Sequence, residues 1–214
     1  MIVIVDYGMG NLGSLSNMFI KINQEAKISS SIQDIETADK LILPGVGSFD
    51  NGMRNLNDLN LIPILYKRVI IDKIPVLGVC LGMQLFTEKS EEGQLKGLGW
   101  IKGETKKFNF PQKENNLKIP HMGWNSVNFS KDNKLIKNLP ADSKYYFVHS
   151  YYVVCRDRSD VLMSTFHGIE FDSALQKDNI YGVQFHPEKS HKYGIVLFKN
   201  FCNLNNDLTF DLLI

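Results

Sequence analysis

Two groups of residues carry the chemistry of covalent catalysis: a cysteine in a glycine-framed turn, and a histidine two residues before a glutamate. The stretch Pro75-Val76-Leu77-Gly78-Val79-Cys80-Leu81-Gly82-Met83-Gln84 runs an apolar strand into Gly-x-Cys-x-Gly, and an amphipathic segment follows. This is the nucleophile-elbow pattern with Cys in place of Ser. A strand-to-helix turn this sharp holds its central residue in a strained, presented conformation. Glycines on either side let neighbouring backbone pass without a Cβ clash. The following helix N-terminus favours a thiolate over a thiol whose ordinary pKa is ~8.5. The amide of Leu81 is the expected first oxyanion donor. Taken alone, the turn fits a buried structural cysteine at a βα junction equally well.

A cysteine nucleophile needs a base, and the base needs an orienting partner. Gln184-Phe185-His186-Pro187-Glu188-Lys189-Ser190 offers both. His186 follows a short apolar run, so it is expected where a strand ends. Glu188 can reach back to one imidazole nitrogen and hold the tautomer, leaving the other nitrogen for Cys80. The other histidines lack a carboxylate at that spacing. His121 and His149 lie in aromatic or turn-rich strands, His167 in a loop-like stretch, and His191 at an expected helix start. Cys155 and Cys202 have no strand–turn–helix setting and are expected to be inert.

Two glycine turns accompany this pair. Pro44-Gly45-Val46-Gly47-Ser48-Phe49 follows an apolar run. There Val46 and Gly47 are expected to aim amides over Cys80 as the second oxyanion donor, with Gly45 against the substrate. Gly8-Met9-Gly10-Asn11-Leu12-Gly13 matches G-x-G-x-x-G, and Asp34 lies further on, where a ribose-binding acid would be. The rival reading is therefore a dinucleotide-binding or other non-catalytic module. Against it, Ser29-Ser30-Ser31 separates Asp34 from any clear second strand.

The elements that must position these residues read as strand, turn and helix in alternation. Ile2 to Val5, Lys40 to Leu43 and Ile74 to Val79 are short apolar runs. Leu12 to Ile22 has helical spacing, and so does the segment from Gly82 to Lys89. That half of the chain predicts a mostly parallel central sheet flanked by helices, an α/β fold. The second half predicts antiparallel strands over Trp124 to Phe129 and Tyr145 to Val154. A further apolar run follows at Ile180 to Phe185, and then a helix from Tyr193 to Phe201. Thr105 to Lys118 reads as a loop or hairpin, and the tail from Asn205 to Ile214 is apolar enough to dock. One domain spanning residues 1–214 is expected.

The bulk properties narrow the classes further. The chain has 214 residues, a formal net charge of +1 and 43% hydrophobic residues. That balance leaves no electrostatic footprint for nucleic acid. Three cysteines without a CxxC pair favour a reducing compartment. With neither a leader-like start nor a long apolar span, a cytoplasmic location is expected.

Six stretches together resemble the class I, triad-type glutamine amidotransferases. They are DYGMGNL at 6–12, LPGVGSF at 43–49, GVCLGMQLF at 78–86, PHMGWN at 120–125, YFVHSYY at 146–152 and YGVQFHPEKS at 181–190. The subfamily they are most similar to is the glutaminase subunit of imidazole glycerol phosphate synthase in histidine biosynthesis. The resemblance implies a flavodoxin-like amidotransferase architecture, with Cys80 as nucleophile, His186 as base and Glu188 as its orienter. It places Gln84 in the glutamine pocket and calls for neither cofactor nor metal. It implies a (β/α)8-barrel cyclase partner in a heterodimer, to which ammonia is channelled. His121, Met122, Gly123, Trp124 and Asn125 would lie near the partner face and ammonia passage. Gly13-Ser14, Phe49 to Met53 and Gly97 to Trp100 depart from the commoner pattern. They resemble a sub-branch linked to surface-polysaccharide synthesis, in which the ammonia amidinates a nucleotide-linked acetamido sugar.

Overall fold

Short runs of β-branched and aliphatic residues form the centre of the sheet, because strands buried on both faces need apolar side chains in both directions. The computed structural model describes residues 1–110 and 117–204. The chain runs β1 (Ile2–Val5), α1 (Leu12–Lys21), β2 (Ala26–Ser29), α2 (Ile32–Glu36), β3 (Lys40–Leu43), α3 (Phe49–Asp58) and α4 (Ile62–Tyr66). A π-helical turn over Lys67–Ile71 extends α4, and β4 (Val76–Val79) and α5 (Leu81–Leu85) follow. The second half contains β5 (Lys89–Ser90), β6 (Gly103–Lys107), β7 (His121–Ser126), β8 (Asn128–Phe129), β9 (Lys144–His149) and β10 (Tyr151–Cys155). It closes with β11 (Val161–His167), β12 (Ile169–Lys177), β13 (Ile180–Val183) and α6 (His191–Cys202).

The main sheet has the order β2-β1-β3-β4-β13-β12-β10-β6-β5, with β11 on β12 and β8 on β11. Its first five strands are parallel. From β13 outward the β12, β10 and β6 pairings are antiparallel. A separate antiparallel ribbon pairs β7 with β9.

Period-two alternation divides the core between the two faces. On one side Ile2, Ile4, Ile42, Leu77 and Val79 pack with Phe19 of α1 and Leu197, Phe198 and Phe201 of α6. On the other, Val3, Val5, Leu41, Leu43 and Val76 pack with Met53 and Leu56 of α3, Leu65 of α4 and Leu85 of α5. The result is the expected α/β architecture with helices on both faces.

Several boundaries differ from the sequence expectation. The helix after Cys80 ends at Leu85, well short of Lys89. Thr87 turns its hydroxyl onto the Gln84 carbonyl, and Lys89 joins a strand instead. Tyr145 to Val154 is two strands broken at Ser150, one in each sheet. His167 ends a strand and does not lie in a loop. The expected loop over Thr105 to Lys118 begins inside β6, and its middle lies outside the described residues, as does the tail from Asn205. β2 and the helices α2 to α4 had no clear signal. β2 is a half-exposed edge strand, and α2 and α4 are five residues each, too short for a periodic stripe to register.

Candidate active site

Neighbouring parallel strands in register carry their following turns to one edge of the sheet. β3 and β4 pair Leu43 with Gly78, and β4 and β13 pair Val79 with Val183. The Cys80 turn, the Gly45 turn and the His186 turn therefore meet at the carboxyl ends of three adjacent strands, where α/β sheets bind ligands.

Cys80 has φ 53° and ψ −108°, a left-handed conformation that a side chain resists. The glycines around it are required by space. A Cβ on Gly82 would lie 1.8 Å from the Leu43 carbonyl oxygen, and one on Gly78 would lie 2.7 Å from the Met83 nitrogen. The turn is tied to the sheet by the Cys80 amide, which donates to the Val183 carbonyl at 2.8 Å. The cysteine is 7% exposed and lines a cleft of about 290 Å³. A larger depression of about 850 Å³ runs along residues 129–139 and includes none of the residues expected to do chemistry.

His186 is 2% exposed and lines the same cleft. Its Nδ1 is 2.8 Å from Glu188 Oε1, and both side chains are buried. The proton on that nitrogen is fixed by the carboxylate, which can only accept. The other nitrogen, Nε2, is buried without a hydrogen-bond partner among the described residues. Burial alone would lower the His186 pKa, but the neighbouring Cys80 sulfur and Glu188 carboxylate outweigh it and raise it. The turn is braced from β9. The His186 amide donates to the Tyr146 carbonyl at 2.8 Å, and the Tyr146 amide donates to Ser190 Oγ at 3.0 Å.

The Gly45 turn meets the cysteine turn through backbone. The Leu81 amide donates to the Gly45 carbonyl at 3.4 Å. Carbonyl and N–H point opposite ways across a trans peptide, so the Val46 amide points away from the Leu81 amide. Gly45 fits because a Cβ there would lie 2.7 Å from Leu81 Cβ and 2.9 Å from Tyr7 Oη. Gly47, at φ 133°, uses a conformation open to glycine. Tyr7 locks the turn by donating its hydroxyl to the Pro44 carbonyl.

The Gly8–Gly13 loop serves this turn too. A Cβ on Gly10 would lie 3.3 Å from Gly45 N, and Asn11 caps α1 by accepting from the Ser14 amide. Asp34 sits in α2, not at a strand end, and is bonded to Lys27 and Ser29. These observations account for the fingerprint without a dinucleotide.

Gln84 lines the cleft but is 4% exposed, its amide donating to the Tyr151 carbonyl and to Gln184 Oε1. In the His121–Asn125 strand, Met122 and Trp124 face out at 63% and 47% exposure. His121 faces inward, its Nδ1 3.0 Å from His149 Nε2, while Asn125 contacts its Nε2 at 3.1 Å. His149, which lines the cleft, has Nδ1 2.7 Å from the Tyr151 carbonyl. Burial lowers the pKa of His149 to about 3 and that of His121 to about 4, so both rings are neutral. Cys155 and Cys202 stand apart from the cleft, and burial raises both thiols, Cys202 to about 11.

Two residues of the site were not singled out from the sequence. Gln184 lies two positions before His186, a spacing that returns to the same side of an extended chain, and its Nε2 is 3.6 Å from Cys80 Sγ. Glu92 lines the cleft, accepts from the Phe49 amide, and has its pKa raised chiefly by burial. No periodic signal marks it.

The model of the family described as glutamine amidotransferase class-I matches residues 3–204. The chain belongs to that family. Among curated relatives, the chain is similar to "Imidazole glycerol phosphate synthase subunit HisH 2" of Methanococcus maripaludis. The two are 59% identical over 94% of this chain and 98% of the relative. The protein of the same name in Pseudomonas aeruginosa is 48% identical over 95% of this chain and 100% of its own length. Among solved structures, "Structure of PurLQS from Thermotoga maritima" includes a chain that superposes with a TM-score of 0.71 at 16% identity. It covers 94% of this chain and 97% of that one, a likeness of fold.

Proposed function

We propose that this amidotransferase is a glutaminase subunit that hydrolyses glutamine at Cys80 and passes ammonia to a separate synthase. The observation that carries it is one cleft holding a strained Cys80 beside a His186 whose far nitrogen is held by Glu188. The Cys80 thiolate attacks the carboxamide carbon, and the C=O electron pair moves onto oxygen. Protonated His186 gives its Nε2 proton to the departing nitrogen as the tetrahedral intermediate collapses to a γ-glutamyl thioester and ammonia. Neutral His186 then takes a proton from water, hydroxide adds to the thioester, and glutamate leaves as the thiolate returns. Glu188 orients the ring throughout and stabilises the imidazolium. Glu92 offers a carboxylate to the substrate ammonium, and Gln84 lines the same cleft with its NH2 already engaged within the protein.

The oxyanion needs donors, and Leu81 and Val46 are the pair the turn can supply. The Gly45–Val46 peptide must rotate to free the first and aim the second, a change in ψ of Gly45 and φ of Val46 that the missing Cβ of Gly45 makes easier. A partner that docks over exposed Val46, Met122 and Trp124 is placed to drive that rotation. The partner read here is a (β/α)8-barrel cyclase, in a cytoplasmic heterodimer that serves histidine biosynthesis. The names of the two relatives support that pathway. The departures at Gly13-Ser14, Phe49 to Met53 and Gly97 to Trp100 support a second reading in which the ammonia amidinates a nucleotide-linked acetamido sugar. Co-purifying the barrel partner and assaying the pair on both acceptors separates the readings. Glutamate release by the pair, lost in Cys80→Ala, tests the glutaminase itself. Continued release in that variant overturns it.

A further inference from the structure

Cys80 Sγ has a buried polar neighbour besides His186 that the mechanism above does not use. Gln184 is fully buried, and its Nε2 is 3.6 Å from the sulfur. An amide side chain can present either end, so its identity must come from its other contacts. Here the contacts decide it. The Tyr151 carbonyl can only accept, so the group of Gln84 facing it at 3.1 Å must be the NH2. That same nitrogen has a second hydrogen, directed to Gln184 at 3.0 Å, so the end of Gln184 facing Gln84 must be oxygen. The end facing Cys80 is then NH2. His149 Nδ1 also donates to the Tyr151 carbonyl, at 2.7 Å, and holds the anchor of the chain in place.

We infer that Gln184 is a further catalytic residue, an N–H donor aimed at the Cys80 sulfur, and that Gln84 positions it by fixing which end of its amide faces that sulfur. A donor bonds a thiolate more strongly than a thiol or a thioester sulfur, because the bond is charge-assisted. Gln184 therefore steadies the thiolate that attacks the substrate. It also assists the second half-reaction, where negative charge returns to sulfur as glutamate leaves. The cost is a less nucleophilic sulfur, since thiolate reactivity falls with thiol pKa at a Brønsted slope of ~0.4–0.5. That trade distinguishes a donor from a packing residue.

The test is the rate of Cys80 alkylation by iodoacetamide against pH, followed on the Cys80 peptide in the intact chain. In Gln184→Leu the midpoint is expected to rise by about one pH unit, and the high-pH plateau by about two- to three-fold. In Gln184→Glu the oxygen facing Gln84 is kept but the donor becomes an anion, so the midpoint rises further. Gln84→Leu, which frees the amide to turn, raises it by a smaller amount. An unchanged midpoint in Gln184→Leu and Gln184→Glu proteins with native unfolding temperatures overturns the inference, and so does a lowered plateau. If either Gln184 variant does not fold, the other and Gln84→Leu carry the same readout. The role in turnover rests on the glutaminase reading, and there kcat with the partner present should fall about ten-fold while KM stays within about two-fold. The two readings fail separately: a wild-type pair that releases no glutamate overturns the glutaminase reading, whereas the alkylation midpoint judges Gln184 alone.

Discussion

The Leu81 amide donates to the Gly45 carbonyl at 3.4 Å, so the first donor expected for an oxyanion is already engaged by the turn that should supply the second. The bond is long for an N–H···O contact, and breaking it costs little. A glutaminase that stays closed until its partner binds avoids wasting glutamine. Isolated chain should therefore release glutamate slowly, and the proposed partner should raise kcat by ~10²–10³, the typical worth of one oxyanion donor. KM should move less. Full turnover by the isolated chain, measured as glutamate release, would count against gating.

Gly45→Ala tests the same hinge from inside. Its Cβ would sit 2.7 Å from Leu81 Cβ and 3.0 Å from Gly82 N, both held by backbone. The expected outcome is a loss of about 1–3 kcal/mol of stability, together with partner-stimulated activity reduced at least ten-fold. Thermal unfolding and glutamate release check the two parts.

Glu188→Gln should keep an acceptor near His186 Nδ1 and remove the charge that favours the imidazolium. We expect kcat to fall by ~10²–10⁴, the usual range for acid–base groups, with the fold retained. His186→Ala should fall at least as far. Turnover near wild type in either variant would remove His186 from the mechanism.

His121 and His149 predict acid sensitivity. Both are held neutral, with folded pKa values near 4 and 3, against ~6.5 in the unfolded chain. Their contribution is whole above pH 6.5. As pH falls below that value the unfolded chain takes up protons that the folded one does not, so stability declines toward pH 4. The slope is at most about 1.4 kcal/mol per unit for each ring. Urea unfolding of wild type and His121→Gln between pH 7 and 4.5 should give a shallower slope for the variant.

The exposed apolar patch yields a surface prediction. Met122→Asp or Trp124→Ala should weaken the complex with the proposed partner and lower partner-stimulated turnover. Neither side chain lines the cleft, so Cys80 alkylation in the free chain should be unchanged. Equal partner affinity by calorimetry would place the docking face elsewhere.

The amino-acid sequence by itself determined the central parallel strands, since β1 and β3 are apolar runs bounded by turn residues and need no distant information. It also determined the His186–Glu188 pairing, because a two-residue spacing closed by Pro187 leaves the carboxylate within reach of the ring. Gly78 and Gly82 were legible for a similar reason: the elbow has one way to be built, and a Cβ at either position would strike backbone. Tertiary structure alone decided the rest. Glu92 reaches the cleft because Ser90 and its neighbours fold back beside α3, a contact with no local signature. The Gly45 carbonyl meets the Leu81 amide only because β3 and β4 lie side by side in register. Gln184 was visible in its motif, but its role depended on Gln84 of α5 and Tyr151 of β10. A hydrogen bond gets its direction from every acceptor that surrounds it, and packing alone brings those acceptors together.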